Sequence, residues 1–374
     1  MTANVPLPRR RSTRGGARLT ARVGTSLAAG LVLAACGPSP VDMVEHPVTT
    51  TPSRMAGEEL QRSADPEESC AAKPVPTEFA GVGDRGVASE EPGKATVRVP
   101  RAPERILALG AGAVDVACGL GLQDLVVGTS GLSFDADVFL PDSLVNLPVI
   151  DVESSAAVDA TASARELKPD LIVLAGSAHL DPDVVEALED VAPTVIYDAD
   201  ILKWTDATEA ISDAYGRPRA GGDLLLQVID VAQSTESAAT PSDTQVSLVS
   251  VNGDDVILQY PDTLGSLMLE AVNAGRPPAQ RTRDGERIPP LPQSPHLGDE
   301  LDGDVIFAVV GGGPDSEDAA RQVFTTTRWT DLDAVGARRM FVVDRAVWEG
   351  AGPVAAKAVL TDIRKSINGI APDG

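Results

Sequence analysis

Short apolar runs alternate with amphipathic segments along most of the chain after residue 95. Runs of four to five apolar residues predict buried strands, and the longer segments between them carry a helical period. Because the runs are apolar almost throughout, they predict parallel sheets that are covered on both faces. In the first part of the chain the predicted strands are 105–109, 125–129, 171–175 and 194–197, with helices at 113–120 and 184–191.

A helical segment follows these strands. It contains a helix at 205–215, a break at Gly216-Arg217-Pro218 and a longer helix at about 221–237. Strands then resume, and the predicted ones are 245–251, 256–260, 305–310 and 340–343, before a last helix at 354–367. The pattern therefore predicts an α/β fold with two lobes, at 95–203 and 241–374, and a linking helical segment at 204–240.

The start of the chain has a different character. Residues 1–35 hold six arginines and no acid, and the apolar stretch at 23–35 is too short to span a bilayer of about 30 Å. This pattern predicts a secretion signal, and Leu33-Ala34-Ala35-Cys36 is similar to the site at which bacterial lipoproteins are cut and acylated. We expect Cys36 to carry lipid on the outer face of the membrane. The alternatives are a plain signal peptide with a chance cysteine, or a short anchor helix.

Residues 36–94 are rich in Pro, Glu, Ser, Thr and Gly, without apolar periodicity, and predict a flexible stalk. The formal charge is −24, and removal of the six signal arginines makes it six units more negative. Such a surface repels nucleic acid. We therefore expect a membrane-tethered protein that binds no nucleic acid.

Two cysteines remain once Cys36 is assigned to lipid. Cys70 and Cys118 would lie in an oxidising compartment, where a disulfide between them is the default expectation. The alternative is a pair of free thiols, with Cys118 buried in an apolar run. Neither cysteine has a neighbouring Cys or His at metal-ligand spacing, so no metal site is predicted.

Five segments carry a resemblance and occur in a fixed order: 101–109, 124–128, 166–173 with Lys168-Pro169-Asp170, 328–335, and 339–344 followed by Trp348 and Gly352-Pro353. Together they make the chain resemble the substrate-binding proteins of bacterial iron-siderophore, haem and cobalamin ABC importers. Segments 68–70 and 275–280 and Cys118 make it look most like the actinobacterial lipoproteins of this class that bind ferric citrate or siderophores. The resemblance implies two Rossmann-like lobes joined by one long rigid helix, with a ligand cleft between them. It also implies a monomer that is not an enzyme, needs no cofactor of its own, and delivers a ferric siderophore or haem to a permease.

One position departs from this pattern. Relatives often carry a glutamate for permease docking at the start of the helix before Lys168-Pro169-Asp170, whereas this chain has alanine near that place. Asp159 and, on the other lobe, Glu270 are the substitutes that we consider. The departure keeps a second function open, a cell-envelope lipoprotein that uses the same fold to bind a partner.

Ligands of open α/β sheets bind beyond the carboxyl ends of the strands. The long segment 276–296 in the second lobe forms a basic island on an acidic chain, and guanidinium groups suit carboxylates. Its candidate ligand-binding residues are Arg276, Arg281, Arg283 and Arg287. The alternative is a solvated loop whose arginines balance nearby acids.

Three more side chains lie near predicted strand ends. Trp348 is a candidate ligand contact or a packing residue. Tyr260 is a candidate for stacking on ligand or for binding haem iron, and otherwise a core or rim tyrosine. His179 could contact ligand or iron, with a capping or exposed role as the alternative.

The sequence carries no enzyme motif that we recognise. Gly110-Ala111-Gly112 follows a strand but lacks the third glycine of a dinucleotide-binding turn, and no hydrolase motif appears.

Overall fold

The fold was analysed in a computed structural model of the chain. It describes residues 65–90, 93–132, 136–152, 157–176, 180–239, 241–252, 255–259, 262–281, 298–311 and 314–367. All of these residues belong to one compact unit. None of the helices in these ranges is long and apolar enough to cross a membrane.

Two four-stranded sheets form the centres of the two lobes. The strands are β1 (Asp84–Ala88), β2 (Thr96–Pro100), β3 (Ile106–Leu109), β4 (Val126–Ser130), β5 (Leu171–Gly176), β6 (Thr194–Asp198), β7 (Val246–Asn252), β8 (Asp255–Leu258), β9 (Val305–Val310) and β10 (Met340–Asp344). In lobe 1 the order is β4-β3-β5-β6, with every pair parallel. In lobe 2 the order is β10-β9-β7-β8, and only β8 runs antiparallel to its neighbour. The predicted parallel sheets are thus confirmed, apart from this edge strand.

Helices cover both faces of each sheet. They are α1 (Ala111–Gly119), α2 (Asp142–Val145), α3 (Ala157–Leu167), α4 (Pro182–Glu189), α5 (Trp204–Ala214), α6 (Pro218–Ala239), α7 (Leu264–Ala271), α8 (Gly298–Leu301), α9 (Pro314–Phe324), α10 (Thr327–Thr330), α11 (Asp333–Gly336), α12 (Arg345–Trp348) and α13 (Pro353–Ile367). The predicted long helix is α6, which has 22 residues and leads from lobe 1 to lobe 2. It starts at a proline, which fits the first turn of a helix because the missing N–H would have no partner there.

The side chains of the central strands of the two four-stranded sheets alternate between two cores. In β3, Ile106 and Ala108 enter a large core that both lobes share, whereas Leu107 and Leu109 enter a core confined to lobe 1. In β9, Phe307 belongs to the shared core, and its neighbours on the other face belong to a core confined to lobe 2. Helices α1, α6 and α13 contribute to the shared core. The two lobes are therefore joined by continuous apolar packing as well as by one helix.

The N-terminal part of the described chain differs from the predicted stalk. Residues 65–90 are folded: Cys70 is bonded to Cys118, and β1 pairs with β2 in an antiparallel hairpin. Arg85 of this hairpin is buried against α5, where its guanidinium donates to Asp213 Oδ1 at 2.9 Å. The boundary predicted at residue 94 is thus too late, because polar composition hid a hairpin that packs on lobe 1.

Candidate ligand-binding site

The two lobes meet at the carboxyl ends of β3 and β4 on one side and after β10 on the other. A small cavity of about 60 Å³ lies between them. Lobe 1 lines it with Ala111, Asp115, Gly131, Leu132, Ala136, Phe139 and Leu140, and lobe 2 with Ala346, Glu349, Gly350 and Ala351. This is the position that the strand-end rule predicts for a ligand cleft, and its floor is mostly apolar with two carboxylates.

Asp115 joins the lobes beneath this cavity. It lies on α1 and is buried, and its two carboxylate oxygens accept the N–H groups of Val354 and Ala355, each at 2.8 Å. These are the first free N–H groups of α13, so Asp115 acts as a helix cap supplied from another element. Burial raises the pKa of the Asp115 carboxyl to about 6, although both backbone N–H groups oppose that rise.

Two glycines allow the close approach at this joint. A Cβ on Gly352 would lie 2.4 Å from the Asp115 carboxylate, and a Cβ on Gly112 would lie 2.9 Å from the carbonyl oxygen of Ala351. Both distances are too short for a real side chain. The glycines around 110–112, which superficially suggest a nucleotide-binding turn, are therefore explained by packing. Gly110 has a φ of +128°, which disfavours any other residue.

A polar cluster on lobe 2 borders the same cavity. Glu349 accepts from Ser250 Oγ at 3.2 Å and from the Gln259 amide, and Arg345 lies 3.7 Å from its second carboxylate oxygen. Arg345 also donates to the Ser250 hydroxyl and to Asn252. The cluster thus fixes Glu349 at the cleft with several partners. Sequence reasoning selected this strand end but not Glu349 itself.

Trp348 lies in the core that the two lobes share. Its indole is fully buried, its ring centre is 4.6 Å from that of Phe307, and its Nε1 donates to Asp362 Oδ2 at 3.0 Å. The backbone of α7 also packs closely against it at Gly265. The packing alternative therefore describes Trp348 in this structure, because the ring has no exposed face for a ligand.

The basic island is only partly described. Arg276 donates from Nη2 to the carbonyl oxygen of Gln259 at 2.9 Å, and Arg281 is exposed and donates from Nε to the Arg276 carbonyl at 2.7 Å. Both line a cavity beside α7 whose lining residues all belong to lobe 2. Arg283 and Arg287 lie outside the described residues, as do Tyr260, His179 and Cys36. The structure thus does not bring Arg276 and Arg281 to the cavity between the lobes.

The predicted disulfide is present. Cys70 and Cys118 are bonded, and the chain beside them is held to α1 by the hydrogen bond from Ala71 N to the Cys118 carbonyl at 3.0 Å. Because Cys118 and Asp115 lie on the same helix, the bridge also supports the joint between the lobes. Among the described residues, no three His, Cys, Asp or Glu side chains come together as a metal site.

Comparison with known proteins places this arrangement in context. No protein-family model matches the chain. The "Probable siderophore-binding lipoprotein YfiY" of Bacillus subtilis is 23% identical over 281 residues, which cover 71% of this chain and 82% of YfiY.

Solved structures share the fold. Staphylococcus aureus SirA, crystallised with staphyloferrin B, aligns with a TM-score of 0.59 and 23% identity, over 76% of this chain and 98% of SirA. A periplasmic binding protein of the FhuD fold family, a component of a ferrichrome ABC transporter from Bacillus subtilis, aligns with a TM-score of 0.60 and 20% identity, over 73% of this chain and 97% of that protein. The predicted resemblance is thus confirmed: this chain is similar in sequence to a probable siderophore-binding lipoprotein and has the fold of periplasmic siderophore-binding proteins.

Proposed function

We propose that this protein is a lipid-anchored solute-binding protein that captures a ferric siderophore outside the cytoplasm and delivers it to an ABC importer. The observation that carries the proposal is the fold of two α/β lobes joined by the 22-residue helix α6, which aligns over 98% of SirA; the small cavity shows where the strand ends of the two lobes face each other. The siderophore-binding homologue supports the ligand class, and binding rather than catalysis is the expected activity.

The joint between the lobes predicts how binding proceeds. The shared core, the packing of α13 on α6, and the Asp115 cap on α13 all resist a wide hinge motion. Domain closure therefore involves small adjustments rather than the large rotation of flexible hinges. A cleft that closes little suits a bulky, preformed ligand such as a ferric chelate.

The ligand would contact the segments that follow the strands. On lobe 1 these include Gly131 and Leu132, and on lobe 2 they include Glu349. Tyr260 and His179, which lie outside the described residues, remain proposed contacts because each follows a strand in sequence. If the ligand is haem instead, these two residues are the proposed iron ligands, since phenolate and imidazole both bind haem iron.

Permease docking and membrane attachment complete the proposal. Asp159 on α3 and Glu270 at the end of α7 are both exposed, one on each lobe, and we propose that they replace the docking glutamates of relatives. Cys36 is proposed as the lipid attachment site. The exposed acids would then pair with permease arginines while the anchor keeps the protein near the membrane.

The test is a titration of the purified protein with haemin and with a panel of ferric siderophores, followed by intrinsic fluorescence and calorimetry. We expect saturable binding of one ferric siderophore at micromolar or lower concentration. Leu132→Trp should weaken that binding by about tenfold or more, because the larger side chain fills the cleft. Overpacking of this kind costs about one to a few kcal/mol. Leu226→Trp, at a position 58% exposed on α6, is the matched control and should change nothing.

Failure of the whole panel would contradict the proposal. It would favour the alternative of a non-transport envelope lipoprotein, which the missing docking glutamate before Lys168-Pro169-Asp170 also favours. A shift of the haemin Soret band together with no siderophore binding would instead assign the cleft to haem.

A further inference from the structure

A second and larger cavity lies on the flank of lobe 2. Its volume is about 410 Å³, and it lies between α7 and the segment that follows this helix. Its walls are polar and apolar in about equal parts, and the polar side chains are those of Ser266, Glu270, Asn273, Arg276, Gln280 and Arg281. It shares no lining residue with the cavity between the lobes. Its size falls within the usual range for small-molecule sites.

Arg276 is a half-buried residue whose guanidinium lacks a counter-charge among the described residues. Its Nη1 atom is buried and has no hydrogen-bond partner, and Nη2 has only the neutral carbonyl oxygen of Gln259. The Ser266 hydroxyl, in the same cavity wall, is likewise buried without a partner. Within the described part of the chain, no carboxylate lies within ion-pair distance of Arg276, and Glu270 on the same wall makes no ion pair with it.

A guanidinium without a counter-charge in such a place lowers the stability of the folded protein. Burial lowers the pKa of the Arg276 guanidinium to about 10, which still leaves it charged at neutral pH. A buried charge is normally paired, because its lost hydration is otherwise uncompensated. An arginine in this state is therefore a group that an incoming anion would satisfy.

The wall around Arg276 is held in place before any ligand arrives. Gln280 accepts from Leu248 N at 3.1 Å and donates to Ser247 Oγ at 2.7 Å, so it ties the segment 275–281 to β7. Arg281 donates from Nε to the Arg276 carbonyl at 2.7 Å, and its terminal nitrogens make no hydrogen bond to the described residues. A second guanidinium thus lines the same cavity.

We propose that the cavity beside α7 binds a small carboxylate, with Arg276 as the buried anchor and Arg281 as the outer contact. A guanidinium matches a carboxylate through two parallel N–H···O bonds, which suits this planar anion. The Ser266 hydroxyl supplies a further donor at the inner end. This site is separate from the cleft, and it does not depend on which chelate the cleft takes.

Iron-free citrate, succinate and inorganic phosphate are the probes, each titrated calorimetrically into the full-length protein at pH 7. We expect a carboxylate to bind saturably, and Arg276→Met to weaken it at least tenfold. Arg281→Gln should weaken it by about threefold. Arg219→Gln is the matched control, since Arg219 is an exposed arginine paired with Glu78 on another face, and it should leave the affinity unchanged.

Thermal unfolding separates a binding role from a structural one. Without anion, Arg276→Met should unfold at the same temperature as the parent protein or higher, because it removes an unpaired buried charge. Citrate should then raise the midpoint of the parent protein but not that of the variant. Arg276→Lys, which keeps the charge but loses the fork, provides a second test and should also bind citrate at least tenfold more weakly.

Three outcomes would overturn the proposal. One is that neither carboxylate binds at millimolar concentration, and another is that only phosphate binds. The third is that Arg276→Met lowers the midpoint while citrate still stabilises the variant, since Arg276 would then be a structural residue. A ferric-siderophore titration in saturating citrate distinguishes a failure of this proposal from a failure of the proposed function. Siderophore binding at the cleft and citrate binding beside α7 can each be measured when the other is absent.

Discussion

Asp115 is a buried charged residue and Arg276 a half-buried one, and their surroundings differ. Asp115, at the cavity between the lobes, has both carboxylate oxygens hydrogen-bonded to the start of α13. Arg276, at the cavity beside α7, has a buried nitrogen with no partner. The Asp115 carboxylate joins two elements of the fold through its hydrogen bonds, whereas we propose that the Arg276 guanidinium binds a ligand. The partners of a charged side chain therefore mark a structural joint in one region and a candidate site in the other.

The disulfide gives the largest expected effect on the first region. Cys70→Ala with Cys118→Ala opens a link between residues 48 apart in sequence and should lower the free energy of unfolding by about 4 kcal/mol in the chain-entropy model. Urea unfolding measures this loss. Because the bridge ends on α1, which carries Asp115, the variant should weaken the joint between the lobes while citrate binding beside α7 stays unchanged.

Reductant provides the control for this variant. It should destabilise the parent protein by a similar amount and have no effect on the double alanine variant. A loss of less than 1 kcal/mol, or a simultaneous loss of citrate binding, would show that the two regions are not as independent as their contacts indicate.

Removal of the Asp115 carboxylate has the next largest effect. Asp115→Ala leaves the N–H groups of Val354 and Ala355 without their acceptor. Loss of a helix cap and of buried hydrogen bonds should lower the free energy of unfolding by about 2 kcal/mol. The matched control is Asp230→Ala, an exposed position on α6, which should change stability by less than about 0.5 kcal/mol. Equal effects of the two substitutions would contradict the role assigned to Asp115.

Much of this fold follows from local pattern. The buried strands at 171–176 and 305–310 are continuous apolar runs, and α6 is a long amphipathic segment that starts at a proline. These elements are easy to predict because a short stretch of sequence contains the whole pattern that defines each of them. By contrast, α9 is polar and short, and the hairpin of β1 and β2 lies in a segment whose composition resembles a linker. These elements depend on packing against distant residues, which no window contains.

The site was harder to predict than the fold for the same reason. Strand-end reasoning selected the region of Glu349. It did not select Asp115, because in sequence this residue is a single acid in an apolar helix and its hydrogen-bond partners are 239 and 240 residues away. Trp348 follows a strand end, yet its ring turns into the core against Phe307. The arginines were grouped by sequence, and only the structure shows that Arg276 is enclosed while Arg281 is exposed. Side-chain direction and burial are properties of the packed molecule.

The smallest predicted effect is a pH dependence that arises from Asp115. Its pKa is raised to about 6 in the folded protein, compared with about 3.9 in an unfolded chain. The folded state therefore binds this proton more tightly, and stability from this group is complete below about pH 4 and is lost as the pH rises through 6. Between pH 7 and pH 5 the parent protein should gain about 1 kcal/mol relative to Asp115→Ala. Urea unfolding of both proteins at the two pH values gives this difference.

The comparison with Asp115→Ala is essential because other acidic residues also contribute to the pH dependence of stability. Their contributions cancel only when the stability of the variant is subtracted from that of the parent protein. Lys357 on α13 limits the size of this difference, because its positive charge favours the ionised Asp115 carboxylate and so opposes the rise in pKa. If the parent protein instead lost stability relative to Asp115→Ala on acidification, the two N–H groups of α13 would outweigh burial. Asp115 would then be a fully stabilised anion, and its contrast with the unpaired Arg276 would be sharper still.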